Sequence, residues 1–289
     1  MYPEDAPAPE PLPDYYGSGY GGGLKNKLIA NFEGLIPLIL IIIIGFFLAA
    51  KFGIITSGTP VVGPIIGTVV GEEEPMELLI IGSPSQELID VLNANRDIVR
   101  YRSKNATDLE RNPEDQLQAY DIVMLDQSNQ SNKEVSKQLG QALQNFVSRG
   151  RKMIVIKDSG IKRPETYDIV GWKATFGDLI PVSCERTINN VPTCLQPITV
   201  VGRIRRQDTK HQIMQGIEVA PAEEDLAMIM TTFDVDTVNG REVAYMEGQG
   251  KMTYPAIVES RRVIGKVLYF NYDPGKTRGI FEATLEYLK

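Results

Sequence analysis

The sequence predicts an α/β protein: a mostly parallel sheet with helices on both faces, extended by antiparallel strands and preceded by one membrane-spanning helix. Three observations carry this expectation. Residues 35–55 are an apolar run of membrane length. Residues 77–160 alternate strand-type and helix-type segments, and strand-type segments dominate beyond residue 198.

The apolar run reads LIPLILIIIIGFFLAAKFGII, with Lys51 as its one charge. As a helix it reaches roughly 30 Å, the thickness of a bilayer's hydrocarbon core. A cleaved secretory signal is the competing reading, but it calls for a shorter apolar core near the start of the chain and a small-residue cleavage site. Lys25 and Lys27 precede the span, and after Lys51 no Lys or Arg occurs until Arg96. The bias of basic residues toward the cytoplasmic side therefore places the N-terminus in the cytoplasm and the rest of the chain outside, in the cell envelope. Residues 1–34 open with MYPEDAPAPEPLPDYYGSGYGGG, a composition expected to form a disordered cytoplasmic tail. Its Tyr15, Tyr16 and Tyr20 could dock a cytoplasmic partner, which leaves a signalling receptor open as a third possibility. Residues 56–76 form a Gly/Pro-rich linker, and 77–289 suffice for one domain with its own core.

Within that domain, Glu77-Leu78-Leu79-Ile80-Ile81-Gly82 reads as a buried strand. Ser83-Pro84-Ser85-Gln86 then reads as a helix start, with Pro at the first helical position and Gln at the capping-box position. A helix to about Asn95 and a strand over 98–101 follow, then a third strand over 120–126. Ser131 and Glu134 read as the cap of the next helix, with Val135, Leu139, Ala142, Leu143, Phe146 and Val147 on one face and Gly150 as its stop. Residues 152–158 are the fourth strand. Continuous apolar strands alternating with helices imply a parallel sheet covered on both faces. Further strands are expected over 198–205, 226–232, 242–246, 256–259 and 263–271, with a hairpin turning at Ser260-Arg261-Arg262 and a terminal helix over 277–288.

The two cysteines, Cys184 and Cys194, flank nine residues that include the turn-forming pair Asn189-Asn190. In an oxidising compartment they read as a disulfide closing a short loop; two unrelated buried thiols are the alternative. Asn105-Ala106-Thr107 and Asn129-Gln130-Ser131 are sequons, so Asn105 and Asn129 are glycosylation candidates. The net charge is −7 and no basic stripe occurs, which excludes nucleic acid as the expected partner. With a single histidine, His211, no metal site or cofactor is expected, and His211 itself reads as a structural hydrogen-bonding group. Trp172, with Tyr167 and Phe176, either forms an exposed contact surface or packs beneath the loop before the cysteines.

The order of elements and the phrases YDIVMLD, KMIVIKDSG, HQIMQGI and GKVLYFNYDPG resemble the class I glutamine amidotransferase-like superfamily, and more closely its trehalose-utilisation-like branch. That resemblance spans about residues 77–289 and implies a flavodoxin-like, doubly wound α/β fold. Amidotransferases of that class carry a Cys in the turn after the fourth strand, where this chain has Lys157-Asp158-Ser159-Gly160. If Pro274 matches the family's His-Pro-Glu, Asp273 replaces the His and Gly275 the Glu. The resemblance therefore implies a retained fold without the thiolate chemistry.

Ligands of open α/β sheets bind beyond the carboxyl ends of the strands. That edge gathers Gly82, Ser83, Asp126, Gln127, Asp158, Ser159, Asn271 and Asp273. The expected role is a non-catalytic binding or scaffolding module of the envelope, a pseudoenzyme within a larger membrane complex, with a small molecule or glycan as a possible ligand of the cleft. The alternative is a hydrolase of a small ester, amide or glycan that uses Ser159 with the carboxylates Asp126, Asp158 and Asp273.

Overall fold

The computed structural model describes Leu40, Ile41, Ile44 and residues 74–184, 186–262 and 264–289, without the side chains of Tyr167 and Lys251. Of the expected span over 35–55, only Leu40, Ile41 and Ile44 belong to the described residues; they are helical and exposed. The expected tail and the linker up to residue 73 lie outside the described residues. Among the described residues no helix is long and apolar enough to cross a membrane.

Ten strands make one mixed sheet. Its parallel part comprises β1 (Met76–Gly82), β2 (Val99–Lys104), β3 (Ile122–Asp126) and β4 (Lys152–Ile156). The antiparallel part adds β5 (Ile198–Arg206), β6 (Val219–Ala220), β7 (Met228–Thr232), β8 (Arg241–Gly248) and β9 (Thr253–Arg262). The last strand, β10 (Gly265–Phe270), joins the two: it runs parallel to β4 and antiparallel to β9. The order across the sheet is β6-β5-β8-β9-β10-β4-β3-β1-β2, with β7 also paired to β5.

Strand periodicity builds two cores, because alternate side chains leave a strand on opposite faces. Leu78 and Ile80, Ile122 and Met124, Ile154 and Ile156, and Leu268 and Phe270 point to one face. There they meet Leu88, Val91 and Leu92 of α1 (Gln86–Ala94) and Ile280, Phe281, Leu285 and Leu288 of the C-terminal helix Arg278–Leu288. Leu79 and Ile81, Val123 and Leu125, Met153 and Val155, and Val267 and Tyr269 point to the other. That face is covered by α2 (Lys137–Ser148) through Leu139, Leu143, Phe146 and Val147. Each such aliphatic side chain withdrawn from water contributes about 1.5–3 kcal/mol before entropy is subtracted. We number the C-terminal helix α3.

Three local expectations need correction. The cap of α1 is Ser85, whose hydroxyl accepts from Leu88 N at 3.1 Å, and not Ser83. Ser83 is held back because its N–H donates to Asp126 O at 2.8 Å, continuing the contact between β1 and β3. The cap of α2 is Ser136, and not Ser131 with Glu134. Residues 133–135 pair with residue 162 instead: Val135 N donates to Lys162 O at 3.0 Å and Lys162 N to Lys133 O at 3.2 Å. Gly150, at φ +92°, does stop α2. The β9–β10 hairpin turns later than expected, since Ser260, Arg261 and Arg262 still pair with Val267, Lys266 and Gly265.

The segment between β4 and β5 is an arm outside the main sheet. Cys184 and Cys194 are joined in a disulfide. Within that loop Thr187–Ile188 pairs with Val191–Pro192 across Asn189 and Asn190, both at positive φ (54° and 63°). Two successive left-handed residues make the turn whose twist suits a tight hairpin, and Asn tolerates that conformation better than most side chains.

Candidate functional site

The carboxyl ends of β1, β3, β4 and β10 meet as the sequence predicts, but the eight gathered residues divide into two groups. Gly82 lets the chains touch: at φ +122° any Cβ there would stand 2.0 Å from Asp126 O. Three polar residues are structural pins. Gln127 is buried; its N–H donates to Ser159 Oγ at 2.7 Å, its Oε1 accepts from Gly160 N at 2.9 Å, and its Nε2 donates to Glu134 O at 3.0 Å. Asn271 is fully buried between strands, accepting from Phe233 N and Tyr269 Oη (both 3.1 Å) and donating to Phe233 O and Pro255 O. Ser159 is fully buried as well, and its carbonyl accepts from Trp172 Nε1 at 2.8 Å.

Trp172 thus packs beneath the loop, edge-on to Tyr269 with ring centroids 5.5 Å apart. The alternative of an exposed surface built on Trp172 and Phe176 is overturned, because both are buried against the α2 side of the sheet.

Ser83 is also held structurally, its N–H donating to Asp126 O at 2.8 Å and its Oγ accepting from Gln130 Nε2 at 3.1 Å, whereas Asp126, Asp158 and Asp273 belong to a charged cluster with Lys133 and Lys157. Asp126 is only 1 % exposed, and its Oδ1 accepts from Ser128 N (3.0 Å) and Ser128 Oγ (2.6 Å). Burial pushes its pKa up to about 6; the Ser128 bonds and the Lys157 charge oppose the rise and the Asp273 charge adds to it. Asp158 pairs with Lys133 Nζ at 3.2 Å, both nearly covered. Lys133, which also donates to Gln127 O, has its pKa lowered by burial, against the pull of Asp158. Lys157 occupies the left-handed region at φ +50°, with its N–H donating to Phe270 O at 2.7 Å. Asp273 caps a short turn, its Oδ1 accepting from Gly275 N at 2.9 Å. Gly275 in turn lies against the start of α1, where a Cβ would come within 2.5 Å of Leu88 N.

Lys133, Lys157 and Ser128 were not among the residues the sequence singled out. Lys157 belongs to the KDSG turn and carried a signal as a charge beside a strand end. Lys133 carried none, since its placement depends on residues 133–135 leaving the helix.

His211 belongs elsewhere. Its Nδ1 accepts from Ile213 N at 3.3 Å, capping the turn Gln212–Met214, and its Nε2 lies 3.3 Å from Glu259 Oε2. Glu259 also accepts from Tyr287 Oη and pairs with Arg261 Nε at 3.4 Å. Burial would raise the Glu259 pKa, but the bonds from His211 and Tyr287 and the nearby positive charge outweigh it and hold the carboxyl at about 2. Among the described residues no group of three or more His, Cys, Asp or Glu could hold a metal ion.

The geometry does not present Ser159 as an activated nucleophile. The Ser159 hydroxyl is covered by protein and hydrogen-bonded to a backbone amide, with neither a histidine nor a carboxylate bonded to it. Nucleophilic catalysis requires a base within about 2.6–3.2 Å of the nucleophile.

No protein-family model and no curated protein matches the chain. Among solved structures it is similar to the β-galactosidase from Bacillus circulans sp. alkalophilus (TM-score 0.48, 11 % identity, covering 73 % of this chain and 30 % of that one). It is similar to the same extent to the β-galactosidase from Rahnella sp. R3 (TM-score 0.48, 12 % identity, 74 % and 31 %). The mmIFT52 N-terminal domain is a third (TM-score 0.42, 8 % identity, 74 % and 96 %). The chain spans about a third of the length of these β-galactosidases, and likeness at this level assigns it neither family nor activity.

Proposed function

We propose that this chain is a single-pass membrane protein whose C-terminal domain, outside the cytoplasm, is a catalytically inert, glutamine amidotransferase-like module that binds other envelope proteins. The strand order β2-β1-β3-β4-β10 with helices on both faces supports the flavodoxin-like, doubly wound reading. The 184–194 disulfide supports placement in an oxidising compartment. The observation that carries the inert reading is the burial of Ser159 with its hydroxyl bound to Gln127 N. The partner surface is the disulfide-closed arm. Ile188 and Val191 face each other across its hairpin, 48 % and 40 % exposed, and a cavity of about 470 Å³ lined in part by Ile169, Val182, Cys184 and Val238 lies at its base.

One observation favours the second reading, a hydrolase acting through carboxylates alone: Asp126, raised to about 6, feels the charge of Asp273. A turnover assay separates the two. The purified full chain is offered p-nitrophenyl esters, anilides and p-nitrophenyl glycosides, beside Asp126→Asn and Asp273→Asn. The inert reading expects buffer-level rates from all three proteins. Turnover by the parent that either substitution removes would establish the hydrolase instead.

A further inference from the structure

Both sequons of the chain fall on one rim of the domain, although 24 positions separate their asparagines. Asn105 follows the last residue of β2, and Asn129 stands three residues past the end of β3. Gln130, the middle residue of the second sequon, ties the two together: its Nε2 donates to Asn105 Oδ1 at 3.2 Å and to Ser83 Oγ at 3.1 Å. Asn105, Thr107, Asn129 and Ser131 are all exposed, and all four line one cavity of about 470 Å³ at the strand ends. The Asn105 amide uses only its oxygen in that bond, and the Asn129 side chain makes no hydrogen bond among the described residues. Each acceptor nitrogen and each hydroxyl two residues on is therefore presented to solvent.

We propose that Asn105 and Asn129 both carry N-linked glycans, and that the pair covers the mouth of this strand-end cavity. Each transfer joins the Asn Nδ2 to the anomeric carbon of a glycan and breaks that carbon's bond to the phosphate oxygen of a lipid-linked donor. The amide loses one proton, the lipid phosphate leaves, and no oxidation is involved. The Gln130 bond survives, because it engages Oδ1 and not Nδ2. Two glycans at this rim leave the cleft to small molecules and direct protein partners to the disulfide-closed arm. The inference rests on the placement of the domain outside the cytoplasm.

The test uses the full chain isolated from the membranes of its native cell, with glycopeptide mass spectrometry on a non-reduced digest. The expected result is two glycosylated peptides. Asn105→Gln or Thr107→Ala should each remove one, and Asn129→Gln or Ser131→Ala the other. Unmodified asparagines together with an intact 184–194 disulfide would overturn the glycans while leaving the placement standing. Unmodified asparagines with free thiols would overturn both. Coverage is read separately from the labelling of Glu110→Cys, on the cavity wall, by a polymer-linked maleimide. Labelling should quicken several-fold when Asn105→Gln and Asn129→Gln are combined, and an unchanged rate would overturn the shielding.

Discussion

Two carboxylates in this domain are almost equally hidden from water, Asp126 at 1 % and Glu259 at 4 % exposure, yet their pKa values move in opposite directions. Asp126 rises to about 6 and Glu259 falls to about 2. Burial disfavours the charge of both, so the neighbours make the difference. Asp126 receives two bonds from Ser128 and faces the like charge of Asp273. Glu259 is ringed by His211, Tyr287 and Arg261. The first arrangement leaves a buried carboxyl, raised to about 6, at the carboxyl end of β3. The second is a buried hydrogen-bonded carboxylate whose bond from Tyr287 Oη ties α3 to the antiparallel part of the sheet.

The largest effect expected from breaking this contrast is at Glu259. Its replacement by Ala leaves His211 Nε2 and Tyr287 Oη without their shared acceptor, and each buried donor left unpaired costs about 1–3 kcal/mol. Urea denaturation of Glu259→Ala should show that loss.

Next is Asp126→Asn. An acid whose folded pKa lies above its unfolded value stabilises the fold below the unfolded value and loses that contribution as pH rises through the folded value. For Asp126 the window runs from 3.8 up to about 6. A rise of this size corresponds to about 2–3 kcal/mol. Asp126→Asn should therefore be more stable than the parent at pH 7 and about equal to it at pH 3.5, as read by paired urea titrations. Glu259 has the opposite sign: its contribution is present above 4.5 and disappears as pH falls toward about 2. These two groups alone place the stability maximum where their windows overlap, near pH 4.

The smallest effect is expected for Ser128→Ala. It removes the hydroxyl bond to the Asp126 carboxylate, costing about 1–2 kcal/mol at pH 7, where that group is charged. It should also carry the Asp126 titration above 6, which NMR of the carboxyl carbon would follow.

What the sequence made legible was whatever repeats with a period. The uninterrupted apolar strands over 78–81, 122–125 and 153–156 predicted a parallel sheet with two faces, and the helical spacing of Leu139, Leu143, Phe146 and Val147 predicted the helix that covers one of them. The strand-end edge followed from topology, so Asp126, Asp158 and Asp273 could be placed there in advance. Hidden from the sequence was which polar groups spend their hydrogen bonds on the fold. Asn271 and Gln127 look like ligand-binding residues at strand ends, but bonds to Phe233, Pro255 and Gly160, remote in sequence, and to Glu134 across a loop make them pins. Ser131 and Glu134 have the spacing of a helix cap, yet residues 133–135 pair with residue 162, and the same detour carries Lys133 to Asp158. Such pairings depend on tertiary contact, which local spacing does not encode.

The most direct test of the binding-module account is purification of the full chain from native membranes in mild detergent, alongside the arm variant Ile188→Ser/Val191→Ser. The account predicts a stoichiometric envelope protein with the parent and its loss with the variant, at unchanged folding stability. A parent that emerges alone and hydrolyses a substrate in a manner abolished by Asp126→Asn would contradict it.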